Sequence, residues 1–316
     1  MLGSALFGKG SRSYAKMMEV GLFAGEVKGP APVPVPGSPD TYFRASSLGK
    51  GCPRAEGIKI INGLAEDAVI EPKLAMLFAK GHAYHHMHQD ILVPSAFPPE
   101  AILGWWRQDD GILSESYANG SPKLWSMEEA SVDQEGPPSY EEVHVYDHEY
   151  CLKGHPDMIL DWGKVPAVAD NHEEVIEFKT RNGTDFMWDK VDAESGGSPL
   201  PEHILQVQAY MMMTGIPRAR IIYLRKGDRE WAQGLSSSMS EHIVFADPKI
   251  QDAIRTFLSD WRASIAAAYE HKVLAPKKSK CMDISKAPAK WCGCRYRCFG
   301  KSSTKDPMVP ILENSE

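Results

Sequence analysis

The sequence predicts an α/β fold, because runs with helical spacing and short β-rich runs follow one another in the order helix, three strands, helix, strands, helix. The chain has 316 residues, 43% hydrophobic and 24% charged, which is ordinary globular composition with enough apolar material for a substantial core. No run approaches the ~18 consecutive apolar residues that span a bilayer. The first residues also lack the basic-then-apolar layout of a secretion signal, so the expected location is the cytoplasm.

Taken in order, GPAPVPVPGSP at 29–39 excludes a regular helix or central strand and favours an extended linker, so residues 1–42 read as an appendage. SSLGKGCPRAEGIKIINGL then reads as a cap and short helix, followed by a longer helical pattern through EDAVIEPKLAMLFAKGHAYHHMHQDIL. Between 93 and 138 the pattern is broken by Pro94, Pro98, Pro99, Pro137 and Pro138 and carries Trp105, Trp106 and Trp125, so this segment reads as an insertion. EEVHVYDHEYCLKG, DMILDW and EEVIEFKT are short, β-rich and separated by turn residues, which fits a three-stranded meander. PEHILQVQAYMMMTG is a helix stopped by Gly215 and Pro217, and RARIIYLRKG and HIVFAD are strands. PKIQDAIRTFLSDWRASIAAAYEHKVL, with proline in its first turn, is the last long helix.

The residues that point to chemistry lie in GHPDMILDWGKVPAVADNHEEVIEFKTRN, residues 154–182. In a strand, Glu177 and Lys179 leave on one face and Phe178 on the other. Asp157 sits at the head of the preceding strand, where neighbouring strands bring its carboxylate beside Glu177. Two converging carboxylates suit a hard cation such as Mg²⁺ or Mn²⁺, and a lysine beside them orients or deprotonates a water and offsets phosphate charge. That combination points to phosphodiester hydrolysis. In isolation, an acid and lysine at a strand end is also an ordinary solvated edge.

The order of these residues resembles the RecB-like branch of the PD-(D/E)xK nuclease superfamily. Pro156-Asp157 and Glu177-Phe178-Lys179 match the motif that names it. Gly81-His82-Ala83-Tyr84-His85 resembles its G-x-x-x-H helix, and Gln206-Val207-Gln208-Ala209-Tyr210 its Q-x-x-x-Y helix. The resemblance implies a mixed central sheet flanked by helices across residues 43–300, with 93–138 inserted and 301–316 a tail. It implies that His85, Asp157, Glu177 and the Phe178 carbonyl hold Mg²⁺ or Mn²⁺, that Lys179 acts on the water, and that Gln206 and Tyr210 position the strand. His82, His86 and His88 lie beside His85, and the place of Gly81 selects among them.

The resemblance extends to the cysteines. Iron-sulfur members of this branch, including AddB-type subunits and the nuclease that partners CRISPR adaptation proteins, have one cysteine before the core and three after it. Here Cys52 precedes it and Cys292, Cys294 and Cys298, in WCGCRYRC, follow it, which implies a [4Fe-4S] cluster. Cys292-x-Cys294 is tighter than the family spacing, and Cys281 is a substitute for Cys292. A zinc site on Cys281, Cys292, Cys294 and Cys298 is the alternative. Cys151, in a strand-like run, reads as a buried apolar residue.

The formal charge is −7, which excludes nucleic-acid binding by overall attraction, yet Lys and Arg recur from Lys272 to Lys305 against one acid, Asp283. The expected function is metal-dependent, exonucleolytic cleavage of single-stranded DNA in replication, recombination or repair, in a bacterium or a virus. A structure-specific endonuclease and a catalytically silent DNA-binding module are the alternatives. No phosphate-binding GxxxxGK[ST] is present, so ATP-driven unwinding is not encoded in these residues.

Overall fold

The computed structural model describes residues 30–66, 81, 83–108, 111–113, 115–116, 122–130, 139–166, 172–182, 188–226, 238–278, 281, 285, 294–300 and 308–310. The elements that position the site are β1 (Phe43–Arg44), α1 (Pro53–Asn62), β2 (Ile102–Gln108), β3 (Val145–Asp147), β4 (Leu152–Gly154), β5 (Met158–Asp161), β6 (Glu173–Asn182), α2 (Pro201–Thr214), β7 (Arg218–Lys226), β8 (Met239–Phe245) and α3 (Pro248–His271). The chain forms two compact units, one of Met1–Val33, Cys52–Gly81 and Ala263–Glu316, the other of Pro34–Gly51 and His82–Arg262.

The larger unit is built on a mixed sheet in the order β8-β7-β6-β5-β2. The β6–β7 pair is parallel and its neighbours are antiparallel, which agrees with the expected α/β architecture. The parallel pair needs a crossover, and α2 supplies it. Proline at the first turn of α2 and left-handed Gly215 at its end, φ 76°, bound that helix as the sequence predicts.

Alternation along β6 sorts the two faces. Ile176 and Phe178 join Val93, Ile102, Met158, Leu160, Ile222 and Leu224 in a buried apolar cluster against the helical turns at 87–96. Val175, Glu177 and Lys179 face the side on which α2 packs.

Two segments pair in ways local sequence does not show. β2, inside the segment read as an insertion, is a strand of the main sheet, with Ile159 opposite Leu103. Proline breaks around it hid a strand whose partner lies some fifty positions away. The meander is also split, because β4 pairs antiparallel with β3 and parallel with β1 in a separate three-stranded sheet. Pro156 has no N–H for a ladder, and the chain changes sheet between Gly154 and Met158. Cys151 is buried as expected, but it occupies the β3–β4 turn with φ 51° rather than a strand. Trp125 packs against the apolar cluster, whereas the side chains of Trp105 and Trp106 lie outside the described residues.

In the smaller unit, α1 packs through Ile58 with Leu64 and Cys294. Leu64–Glu66 pairs antiparallel with Met308–Pro310. Among the described residues no helix is long and apolar enough to cross a membrane.

Candidate active site

Strand register brings the two acids together. Met158 pairs with Ile176 in the antiparallel β5–β6 ladder, so the next step toward the head of β5 sets Asp157 opposite Glu177. One oxygen of Asp157, Oδ2, accepts the Phe178 backbone N–H at 2.7 Å, and Oδ1 lies 3.1 Å from His85 Nδ1. Of the neighbouring histidines, His86 is exposed, and His88 is buried and stacked on the Phe178 ring at 5.2 Å. His82 lies outside the described residues. Among the described histidines of this segment, His85 is the one that meets Asp157.

Glu177 is 2% exposed and is held by donors from two elements. The Lys179 ammonium, two residues on along the same face of β6, donates to Oε1. Gln206 Nε2 donates to the same oxygen at 2.9 Å and to the Tyr210 hydroxyl at 2.7 Å, and that hydroxyl donates to the His155 carbonyl at 3.0 Å. Gln206 and Tyr210, one turn apart on α2, were expected to meet the substrate strand. Both are buried; Gln206 Nε2 reaches Glu177 and the Tyr210 hydroxyl, and that hydroxyl reaches the His155 carbonyl.

Burial, and then the charge of Asp157, push the Glu177 carboxyl well above the usual carboxylate range, against the smaller pull of Lys179 and His85. For Lys179, burial works downward, but the charges of Glu177 and Asp157 outweigh it and hold the ammonium above its ordinary value. Burial also works downward on His85, and the hydrogen bond and charge of Asp157 again prevail.

Among the described residues no group of three His, Cys, Asp or Glu side chains stands ready-made around a metal position. The physical reason is that Asp157 is taken up by His85 and the Phe178 N–H, and Glu177 by Lys179 and Gln206. One atom argues for a ligand all the same. Glu177 Oε2 is buried and has no hydrogen-bond partner among the described residues, and an uncompensated carboxylate oxygen there is costly. The carboxylates of Asp157 and Glu177 are the oxygen donors that a hard divalent cation takes, with the His85 imidazole a softer donor beside them.

No protein-family model matches the chain, and no curated protein matches it. Among solved structures, it is similar to an alkaline exonuclease (LHK-Exo) from Laribacter hongkongensis, at 14% identity and TM-score 0.39 over 73% of this chain and 91% of that one. It is also similar to a phage related exonuclease from Haemophilus somnus, at 14% identity and TM-score 0.32 over 73% of this chain and 96% of that one. Likeness of this extent does not establish a shared activity.

The cysteines divide between the units. Cys151 belongs to the larger unit, where Arg262 Nη1 lies 3.4 Å from its sulfur. Cys52, Cys281, Cys294 and Cys298 belong to the smaller one. Cys52 is the N-cap of α1, Cys294 is buried with its sulfur 3.6 Å from the Ala55 carbonyl, and Cys298 packs on the same apolar cluster. Three of the expected thiols thus meet one helix, while Cys292 lies outside the described residues.

Sequence reasoning missed Gly154 and the His155 carbonyl. A Cβ at Gly154 would stand 2.4 Å from Tyr210 Cε1, so glycine is what lets the tyrosine lie flat there. The only sequence signal was the glycine opening GHPD, which reads equally well as a turn.

Proposed function

We propose that the chain is a metal-dependent deoxyribonuclease that hydrolyses phosphodiester bonds, acting exonucleolytically on single-stranded DNA in replication, recombination or repair. The observation that supports this most is Glu177, whose unpartnered Oε2 and Lys179 neighbour share one sheet face directly opposite Asp157. Asp157, Glu177, His85 and the Phe178 carbonyl would hold Mg²⁺ or Mn²⁺, which when bound supplies charge neutralisation at the phosphoryl oxygens and a more acidic water.

The chain's own residues do the rest. Lys179 is an ammonium kept charged by two buried carboxylates, so it donates a hydrogen bond to the water or to a phosphate oxygen. Gln206 fixes the Glu177 carboxylate through Oε1 and leaves Oε2 to a ligand, and Tyr210 fixes Gln206. Asp157 orients the His85 ring through Nδ1, which leaves Nε2 as the imidazole's ligand atom.

Lys179→Ala tests the assignment on end-labelled strands with added Mg²⁺. Hydrolysis should fall by at least about a hundredfold while DNA binding is retained. Full cleavage by the variant would sink it, and cutting of circular single strands would show an endonuclease instead.

For the smaller unit we propose a [4Fe-4S] cluster on Cys52, Cys294, Cys298 and either Cys292 or Cys281; the first three lie at or against α1, though among the described residues they form no ready-made metal group. Protein purified without oxygen should be brown with about four irons per chain. A colourless chain carrying stoichiometric zinc would overturn that reading.

A further inference from the structure

The three-stranded sheet of β1, β4 and β3 has two unlike faces. One is core, where Phe43, Leu152 and Val145 are buried. The register pairs Arg44 with Lys153 and Lys153 with Tyr146, so these three side chains stand in a row across the other face. Alternation adds His155 two residues beyond Lys153, and His144 and His148 on either side of Tyr146. A solvated sheet face ordinarily carries scattered polar residues. Here it carries rings and cations: His144 and His155 stack at 4.0 Å with 7° between their planes, and Tyr146 and His148 at 5.9 Å with 8°.

His155 and His148 are the exposed rings of this face, and His155 is the one nearer the candidate site in sequence. Its side chain is 42% exposed, one ring face lies on His144, and Glu142 stands 3.9 Å from the ring edge at Nδ1, so the exposure belongs to the outer ring face. Its backbone is tied to the candidate site through the Tyr210 hydroxyl. Asp157 follows two residues later, at most about 7 Å along the chain. Arg44 is exposed, and Lys153, anchored to the Pro39 carbonyl at 2.6 Å, is half-buried beside it.

We propose that this face is a stacking platform for single-stranded nucleic acid, with a base lying on the His155–His144 stack and Arg44 contacting the adjoining phosphate. Rings that accept any base, flanked by cations that follow the backbone, are the chemistry of sequence-tolerant single-strand binding. The assignment rests on the nuclease reading for its substrate and adds where the strand lies: a base on His155 sets its neighbouring phosphate beside Asp157. Glu142 at the ring edge disfavours a bound anion in place of a base.

The test is binding of a short end-labelled deoxyoligonucleotide to the Lys179→Ala protein, followed by fluorescence anisotropy. Adding His155→Ala should weaken binding about tenfold, and His155→Phe should restore it. Arg44→Ala should lower the salt dependence by about one counterion. Strands with abasic positions should bind the His155 protein about tenfold more weakly than intact strands and should not distinguish His155 from alanine. Equal binding of intact and abasic strands, or indifference to His155→Ala, would overturn the platform even if the unsubstituted chain cleaves DNA. Absence of metal-dependent cleavage alongside a full stacking signature would overturn the nuclease reading and leave the platform standing.

Discussion

Glu177 concentrates the logic of the site in one side chain. Its Oε1 takes two donors, Lys179 and Gln206, and its Oε2 takes none among the described residues. A carboxylate fixed in this way is costly to bury and cheap to complete with a cation. Gln206 is then a positioning residue, and Gln206→Leu should raise the Mg²⁺ concentration needed for half-maximal cleavage about ten- to a hundredfold, with activity recovering at high metal. A variant with unchanged metal dependence and merely lower stability would remove that role. The sequence made Asp157, Glu177 and Lys179 legible because strand alternation is short-range. It could not show that Gln206 bonds Glu177, because one-turn spacing on a helix does not tell which neighbouring strand the pair meets.

Among elements, the β6–β7 pair is pinned from the face opposite the site. Glu174 is fully buried on the same face as Ile176 and Phe178, and it accepts from Arg218 Nε at 2.7 Å, Arg220 Nε at 2.9 Å and Trp162 Nε1 at 2.7 Å. The guanidinium of Arg220 also lies over the Trp162 ring at 5.3 Å. Removing the acid leaves two cations facing a buried position. Glu174→Ala should destabilise the fold by about 3–5 kcal/mol in urea unfolding, and a loss within experimental error would show the network to be idle. In EEVIEFKT alternation puts Glu174 and Glu177 on opposite faces, but the partners of Glu174, the distant Arg218 and Arg220, come alongside only through the parallel pairing. The same non-local pairing explains why β2 was hidden: Gly104 and the prolines before it argue against a strand locally, and its neighbour β5 outweighs them.

At the scale of the whole molecule, stability carries a record of which histidines are kept neutral. His203 on α2 has its Nδ1 2.8 Å from the Tyr223 hydroxyl. Burial, and then the charges of Lys179, Arg181 and Lys50, lower its pKa to about 3. An unfolded chain takes up that proton near 6.5, so between about 6.5 and about 3 the unfolded state holds more protons than the folded one. Folding stability from this group is therefore complete above 6.5 and is lost as the pH falls through that window, with no further change below it. His155, lowered to about 4 by burial and then by His144, Arg44 and Lys153, acts in the same direction. Glu177 acts in the opposite direction, because its raised carboxyl binds a proton in the fold that the unfolded chain releases at lower pH. A single stability-versus-pH curve mixes these signs, whereas the difference between the protein and His203→Gln isolates one of them. That difference should favour the unsubstituted chain most at about pH 7 and shrink steadily toward about pH 4, read as urea midpoints across the range. A difference independent of pH would mean that His203 takes up its proton alike in the folded and the unfolded chain, and that burial and the cations Lys179, Arg181 and Lys50 do not shape that corner of α2 and β6.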